Sequence, residues 1–455
     1  MSKSFFKNLI WLQALNWIIK PVWIFAIERV VQMNLGDTMY GEYYVLFNLG
    51  LLFAVLLDLG LNSYVSREIA AAGRLIHKKR IVSVRLLMGI IYVLLVLILG
   101  KFQSLDLRFL ALIILNQILA SFTLLFRAIL QGRQRFIADS ILSVTDRFVA
   151  ILVCAAFLYI PISESEFVQN WFPIFNAKSG IFIFVFAQFS GYLIAFITGL
   201  VWVQKTNHAI HPSENEVLKD SSSKNYLAED TSLKDWLLHI GWFGVLALAM
   251  SFFTRIDTSM IHELSKSDNP SEGFFQAGLY AKSYRLLDAA LIFSTLLSTQ
   301  LLPLFTRNIA LGESVKSLLK IGTGIVLVVS VTASLVSIFG GEFILHKLYY
   351  SKVNSANEMS TLAQSAGIFA VLMTAFIPMA LVHVFGTFIT ALGNIKWLAI
   401  LALICVFINV TINWIVIPKY GAYGAAWGCF ITQFSFAMAC IIKTMQYLKL
   451  KENYG

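Results

Sequence analysis

The sequence predicts an all-α, polytopic membrane protein with twelve transmembrane helices in two six-helix lobes related by a parallel repeat, and three observations carry that expectation. The first is composition: 58% of the 455 residues are hydrophobic and only 13% are charged, with a mean hydropathy of +0.75, which no soluble fold class sustains. The second is a succession of apolar runs, each close to the ~20 residues an α-helix needs to cross a bilayer. The third is an echo between the two halves of the chain.

The first six runs span about 9 to 32, 43 to 64, 81 to 100, 107 to 130, 141 to 161 and 179 to 204. The opening run is too long for a signal peptide and lacks a small-residue cleavage site, so it is expected to persist as a helix. The second six span about 236 to 262, 277 to 305, 317 to 340, 362 to 391, 396 to 417 and 422 to 446. Between the halves lies the one extended polar stretch, including HPSENEVLKDSSSKNYLAED, which reads as a flexible linker. The expected organisation is therefore an N-terminal lobe at 1–204, a cytoplasmic linker at 205–235, a C-terminal lobe at 236–446 and a cytoplasmic tail at 447–455. No loop has room for a soluble catalytic domain.

Lysines and arginines set the orientation. Lys3, Lys7, Arg67, Arg74, Lys78, Lys79, Arg80, Arg133, Arg135, the linker lysines, Arg307, Lys316, Lys320, Lys396, Lys443, Lys449 and Lys451 fall on one side, against a sparser set on the other. The positive-inside rule makes the first side cytoplasmic and places both termini there. The echo supports an even helix number per half. Gly41-Glu42-Tyr43 leads to Ser66-Arg67-Glu68-Ile69-Ala70, as Gly278-Leu279-Tyr280 leads to Thr306-Arg307-Asn308-Ile309-Ala310. Gly132-Arg133-Gln134-Arg135-Phe136 pairs in the same register with Gly393-Asn394-Ile395-Lys396-Trp397. Transporters built from such repeats bind at the repeat interface and alternate access by rocking.

Several function classes are excluded or disfavoured by residue usage. Cys154, Cys405, Cys429 and Cys440 all lie in apolar runs without paired or metal-ligand spacing, so neither disulfides nor a metal site are expected, and no cofactor is. His239, His262 and His383 show no metal spacing and read as ordinary helix residues. The net charge of +10 lies largely in short loops, where it sets topology, so nucleic acid is not the expected partner. No hydrolase, kinase or nucleotide motif is present, and the protein is not expected to be an enzyme.

The informative anomaly is charge inside the runs. Lys20, Arg29, Arg85, Arg127, Arg147, Arg255, Lys282 and Arg285 all occur there. Each base at the centre of a membrane helix costs about 2.5–3.5 kcal/mol on insertion scales, so a lipid-facing set is untenable and a shared, hydrated interior is expected. Only Glu28, Asp58, Asp146, Asp257 and Asp288 lie at comparable depth, leaving an excess of positive charge that a phosphate-bearing ligand would balance. Lys282, Arg285 and Asp288 share one helix face. Lys20, beside Pro21 and far from any acid on its own helix, is the strongest single anion contact. The expected anion-binding set is Lys20, Arg85, Arg255, Lys282 and Arg285. Asp58, Asp146, Arg147, Asp257 and Asp288 are expected to couple an ion or to pair charges. Arg29 and Arg127 lie near run ends, where snorkelling or topology explains them.

The stretch GTFITALGNIKWLAILALICVFINVTINWIVIPKYGAYGAAWG, from Gly386 to Gly428, resembles the C-terminal signature of the polysaccharide exporters. These are the lipid-linked oligosaccharide flippases of the multidrug, oligosaccharidyl-lipid and polysaccharide exporter superfamily. The matching parts are the turn Gly393 to Lys396, Asn409 and Asn413, and Ile417-Pro418 with Tyr420-Gly421-Ala422 and Gly424-Ala425-Ala426. Tyr40-Gly41-Glu42-Tyr43, Leu57-Asp58-Leu59-Gly60-Leu61 and Arg67-Glu68-Ile69-Ala70 agree in the first half. Independently of the family, Pro418 and Gly421 read as the end of the eleventh run, and Gly424 and Gly428 as a close helix approach.

The resemblance implies a flippase of the O-antigen or capsule type, carrying an isoprenoid-pyrophosphate-linked oligosaccharide across the inner membrane by alternating access. It implies membrane lipids as surroundings and a glycan polymerase or glycosyltransferases of the same pathway as partners. The base excess adds the anion preference. A cation-coupled multidrug exporter of the same superfamily would favour acids in its cavity, and a membrane polysaccharide polymerase or ligase would need a large outer-face loop; both fit the residues less well.

Overall fold

Hydrocarbon offers no partner to a backbone amide, so a chain crossing it as single segments must satisfy its hydrogen bonds within each segment. Every regular element among the described residues is accordingly helical. The computed structural model describes residues 19, 21–72, 78–159, 164–206, 233–266, 269–350 and 356–454. A π-helical stretch, Trp23–Glu28, runs into α1 (Arg29–Ala54); α2 (Leu61–Ala72), α3 (Lys78–Phe102), α4 (Leu107–Gly132) and α5 (Phe136–Tyr159) follow. Then come the short α6 (Glu164–Trp171), α7 (Ser179–Thr206), α8 (Leu233–Leu264), α9 (Pro270–Ala310), α10 (Lys316–Tyr349), α11 (Ala356–Ala391) and α12 (Ile395–Tyr454). The centre of the expected linker, 207–232, lies outside the described residues.

Among the described residues, ten stretches are long and apolar enough to span a membrane, and two of them conceal a break. Gly36 (φ 73, ψ 174) interrupts Trp23–Leu57, and Gly421 (φ 53, ψ −135), three residues after Pro418, interrupts Ile395–Leu450. Both glycines turn the chain through backbone angles that side chains rarely tolerate. Counting each broken stretch as two gives the twelve transmembrane helices the sequence predicts, and the chain is a multi-pass membrane protein.

The second run departs from expectation. It was expected to continue from 43 to 64, yet α1 ends in a 3₁₀ turn at Val55–Leu57, followed by Leu59 (φ 43) and Gly60 (φ 85) before α2 begins. Asp58 stabilises the restart, its Oδ1 accepting the Asn62 backbone N–H at 2.9 Å. Hydropathy alone cannot register such a break, because Leu57, Leu59 and Leu61 keep the run apolar. Other helix starts carry ordinary caps: Asp106 accepts from the Arg108 N–H ahead of α4, and Asn269 accepts from the Ser271 N–H ahead of α9, where Pro270 needs no partner.

The chain divides into two compact units. One comprises Met1–Val31 and Phe53–Gly244; the other comprises Gln32–Leu52 and Val245–Gly455. In the first unit, α7 packs on α4 and α5 and α2 lies along α4, around buried residues such as Val65, Ile69, Phe126, Leu130 and Ala195. In the second, α11 is central, touching α9, α10 and α12, with Phe253, Ile389, Leu398, Ala402 and Phe436 in its core. The break in the second run thus falls just beyond the residue where the chain passes from one unit to the other.

Candidate functional site

Two helix faces build the charged site of the second unit. On α1, Asp37, Gly41, Tyr44 and Asn48 recur at three- and four-residue intervals and so share a face; on α9, Gly278, Lys282, Arg285 and Asp288 do the same. The glycines let the backbones meet. A Cβ at Gly41 would overlap the Phe274 carbonyl oxygen and crowd the Gly278 nitrogen, while one at Gly278 would overlap the Asp37 carbonyl oxygen.

Further along the same faces, Arg255 from α8 joins Arg285 and Asp288. Asp288 Oδ2 lies 3.3 Å from Arg285 Nη1 and 3.7 Å from Arg255 Nη1, so two guanidinium groups share one carboxylate. Arg255 Nη1 also donates to Asn48 Oδ1 at 3.4 Å. Aromatic rings back both bases: Arg285 Cζ is 5.2 Å from the centroids of Tyr44 and Phe47, and Arg255 Cζ is 5.7 Å from that of Tyr284. The side chains of Arg255, Asp288 and Arg285 stay 24%, 22% and 13% exposed, so the cluster is reachable rather than sealed. Paired planar guanidiniums on aromatic faces form a geometry suited to phosphate oxygens.

Lys282, expected in the same set, is spent elsewhere. It pairs with Asp37, donates to the Tyr350 hydroxyl at 3.0 Å and lies 4.3 Å from the Tyr350 ring centroid; that hydroxyl continues to Ser365 Oγ at 3.1 Å. Its charge is neutralised and caged. Asp37 was absent from the expected acids because it lies between the first two apolar runs, and it corrects the charge balance read from the sequence.

Asp257 does not pair with Arg255, its near neighbour in sequence. It is buried, Oδ2 accepting from the Tyr280 hydroxyl at 2.9 Å and Oδ1 from Asn413 Nδ2 at 2.7 Å, with Asn409 Oδ1 another 3.2 Å from that same nitrogen. Among the described residues no cation pairs with it. A carboxylate held by neutral donors can exchange a proton or a small cation without breaking an ion pair. The glycines named with Asn413 play the expected part: a Cβ at Gly428 would strike its side chain, and one at Gly424 would strike Val416.

The remaining expected residues lie in the first unit. Arg85 is buried, donates to Asn62 Oδ1 at 3.3 Å and to both oxygens of Ser121, and lies 5.2 Å from the Phe122 ring centroid; Asp58 is the acid whose charge reaches it. This arrangement braces the break after Leu57. Arg147 meets Asp146 at 3.8 Å and stands 5.1 Å over Trp23. Arg127 is bound by Asp139 at 2.7 Å, with Gln131 donating to the same carboxylate at 2.9 Å, a second acid missed because the fifth helix begins earlier than its apolar run. Lys20 lies outside the described residues.

Sequence reading thus named Arg255, Arg285 and Asp288, which the structure brings together, and missed Tyr44, Asn48 and Asp37 opposite them. The missed signal was the recurrence of polar and small residues at 37, 41, 44 and 48 within an apolar run.

Comparison with known proteins agrees with this architecture. No curated protein matches the sequence. Among solved structures, an inward-facing multidrug resistance MATE family transporter of the MOP superfamily shares 12% identity, with 98% of this chain and 99% of that chain covered, at a TM-score of 0.65. The lipid II flippase MurJ in an inward closed conformation shares 11% identity over 98% of this chain and 88% of its own, at a TM-score of 0.61. A MOP superfamily transporter from Pyrococcus furiosus, described by the reverse polarity of its binding pocket, shares 12% identity over 97% and 93% of the chains, at 0.60. The neighbours in fold are transporters and a flippase. Residues 5–309, well over half the sequence, match the family described as polysaccharide biosynthesis protein, and the chain belongs to that family.

Proposed function

We propose that the protein is a flippase for isoprenoid-pyrophosphate-linked oligosaccharide, serving O-antigen or capsule-type surface polysaccharide. The observation that supports this reading is the Arg255–Asp288–Arg285 cluster, two partly exposed guanidiniums on one carboxylate, whose planar donors suit the oxygens of a pyrophosphate. The protein resides in the inner membrane with both termini cytoplasmic, and its lobes at 1–204 and 236–446 alternate access while the lipid tail stays in the bilayer. Asp257 couples the cycle by exchanging a proton or a monovalent cation.

Outward movement of about two negative charges gains on the order of 4–5 kcal/mol per 100 mV, inside negative, so membrane potential assists export. In vesicles, a transport rate indifferent to both potential and ion gradients sinks the coupling. Asp257→Asn is expected to retain substrate binding and to lose the dependence on an ion gradient. The substrate itself is tested by deleting the gene and examining lipid-linked intermediates. Accumulation of one oligosaccharide facing the cytoplasm supports the reading; unchanged intermediates together with new drug sensitivity favour a multidrug exporter.

A further inference from the structure

The second unit contains a cavity of about 230 Å³ that shares a wall with the arginine cluster. Tyr284 is the shared residue. Arg255 stands over its ring, its hydroxyl donates to the Thr254 carbonyl oxygen at 2.9 Å, and both Tyr284 and Thr254 line the cavity. His383, Thr387, Thr390 and Gln433 complete the polar lining.

These polar groups are arranged to receive something. Thr254, Thr387 and Thr390, all in the lining, donate to the carbonyl oxygens of Met250, His383 and Gly386, which leaves their hydroxyls only accepting capacity; Thr387 also meets Ser298 Oγ at 2.6 Å. Gln433 is only 3% exposed, yet its amide has no hydrogen-bond partner among the described residues, and neither has the His383 imidazole. Both side chains line the cavity and so keep hydrogen-bonding capacity that a group inside it can use.

Size and chemistry narrow that ligand. The volume corresponds to about seven water-sized groups, the scale of one six-membered sugar ring. No carboxylate, lysine or arginine lines the cavity, which disfavours an ion, while Met250, Met379 and Phe436 offer apolar surface to the C–H faces of a ring. A neutral, hydroxylated ring satisfies both halves of the lining.

We infer that this cavity takes the sugar bonded to the pyrophosphate, with Gln433 and His383 hydrogen-bonding its hydroxyl groups and thereby selecting the glycan. The inference rests on the flippase reading above, and deepens it by giving the first sugar a separate subsite beside the phosphate contacts.

The test is titration of the purified full-length protein in lipid nanodiscs. The probes are geranyl pyrophosphate and the same compound carrying glucose, galactose, N-acetylglucosamine or N-acetylgalactosamine. At least one sugar-bearing probe is expected to bind about tenfold tighter than geranyl pyrophosphate, as one or two added hydrogen bonds provide. Gln433→Leu and His383→Phe are expected to remove that gain while geranyl pyrophosphate binding stays within about twofold, well under the tenfold of one lost interaction. Gln433→Leu leaves no protein group unpaired, and Gln433→Met serves as its replacement if folding suffers. A gain that survives both variants, or its absence with every sugar, overturns the subsite and leaves the flippase reading standing. Failure of the native protein to bind geranyl pyrophosphate at all overturns both.

Discussion

Gly41 and Gly278 face one another across a helix crossing in the second unit, each at a point where a Cβ would run into the backbone of the other helix. They are also the leading residues of the echo between the halves of the sequence, so the repeat places equivalent glycines at one contact. Substitution is expected to force the helices apart, as neither carbonyl oxygen can yield like a flexible side chain. Gly278→Val is predicted to lower stability by about 1–3 kcal/mol, the usual cost of overpacking. The check is thermal unfolding in detergent, and an unshifted midpoint refutes the close approach.

The arginine cluster makes a prediction about export. Arg285→Ala is expected to abolish export while protein levels stay near normal, since Asp288 keeps Arg255 as a partner. Arg285→Lys restores the charge without the planar fork and is expected to recover only part of the function. Pyrophosphate affinity is predicted to fall about 10- to 100-fold in Arg285→Ala, from the ~1.5–3 kcal/mol of a charge-assisted hydrogen bond. Unchanged export assigns the cluster to structure alone.

Lys282 separates structure from binding in the opposite sense. Because Asp37 and the Tyr350 hydroxyl already hold it, Asp37→Asn leaves a buried cation without its counter-charge and is predicted to destabilise by about 3–5 kcal/mol. The double variant Asp37→Leu with Lys282→Met is expected to recover most of that loss. A double-mutant cycle on thermal midpoints measures the coupling, and independent effects of the two substitutions contradict the pairing.

Acid sensitivity is expected at the start of α4, outside the membrane-spanning segments. Arg108, by donating through its side chain to Asp106, holds that carboxyl below the usual carboxylate range, and the Arg108 backbone N–H adds to the effect. A depressed value in the folded state means the contribution is complete above the ordinary aspartate value near 4 and declines as pH falls through the lowered one. Asp106→Ala is expected to cost about 1 kcal/mol at neutral pH through loss of the cap, and to flatten stability below pH ~4. Asp106→Asn keeps the cap but loses the charge-dependent contribution together with the pH dependence, so it is expected to cost less than Asp106→Ala at pH 7. Stability curves at pH 7 and pH 3 distinguish the two.

Much of the fold was legible because hydrocarbon imposes a single local rule, a long apolar helix, and the sequence obeys it between Ile81 and Phe102 as plainly as between Lys316 and Tyr349. The break after Leu57 was hidden by its apolar neighbours. At the site, Arg255, Arg285 and Asp288 were conspicuous as charges in apolar runs. Their partners were not: Tyr44 and Asn48 are unremarkable by type, Asp37 lies between two apolar runs just after the Gly36 break, and Asp139 falls in a first helical turn where acids are common. Lys282 could not be sorted from Arg285 by sequence, since the difference lies in a residue distant along the chain.

That distance bears on how the protein is made. Asp37 and Gly41 are synthesised long before Lys282 and Gly278, and at roughly 5–20 residues per second the first helices wait tens of seconds for the segment they pack against. During that interval the future crossing surface is a helix with an acid near one end and a bare glycine groove, lacking its counterpart in the bilayer. Assembly of the second unit is therefore completed by capture of an early helix by a late one, and the Asp37–Lys282 pair serves as the register mark for that capture. Ribosome stalling before α9 emerges is expected to leave Gln32–Leu52 accessible to chaperones and proteases that the finished protein excludes.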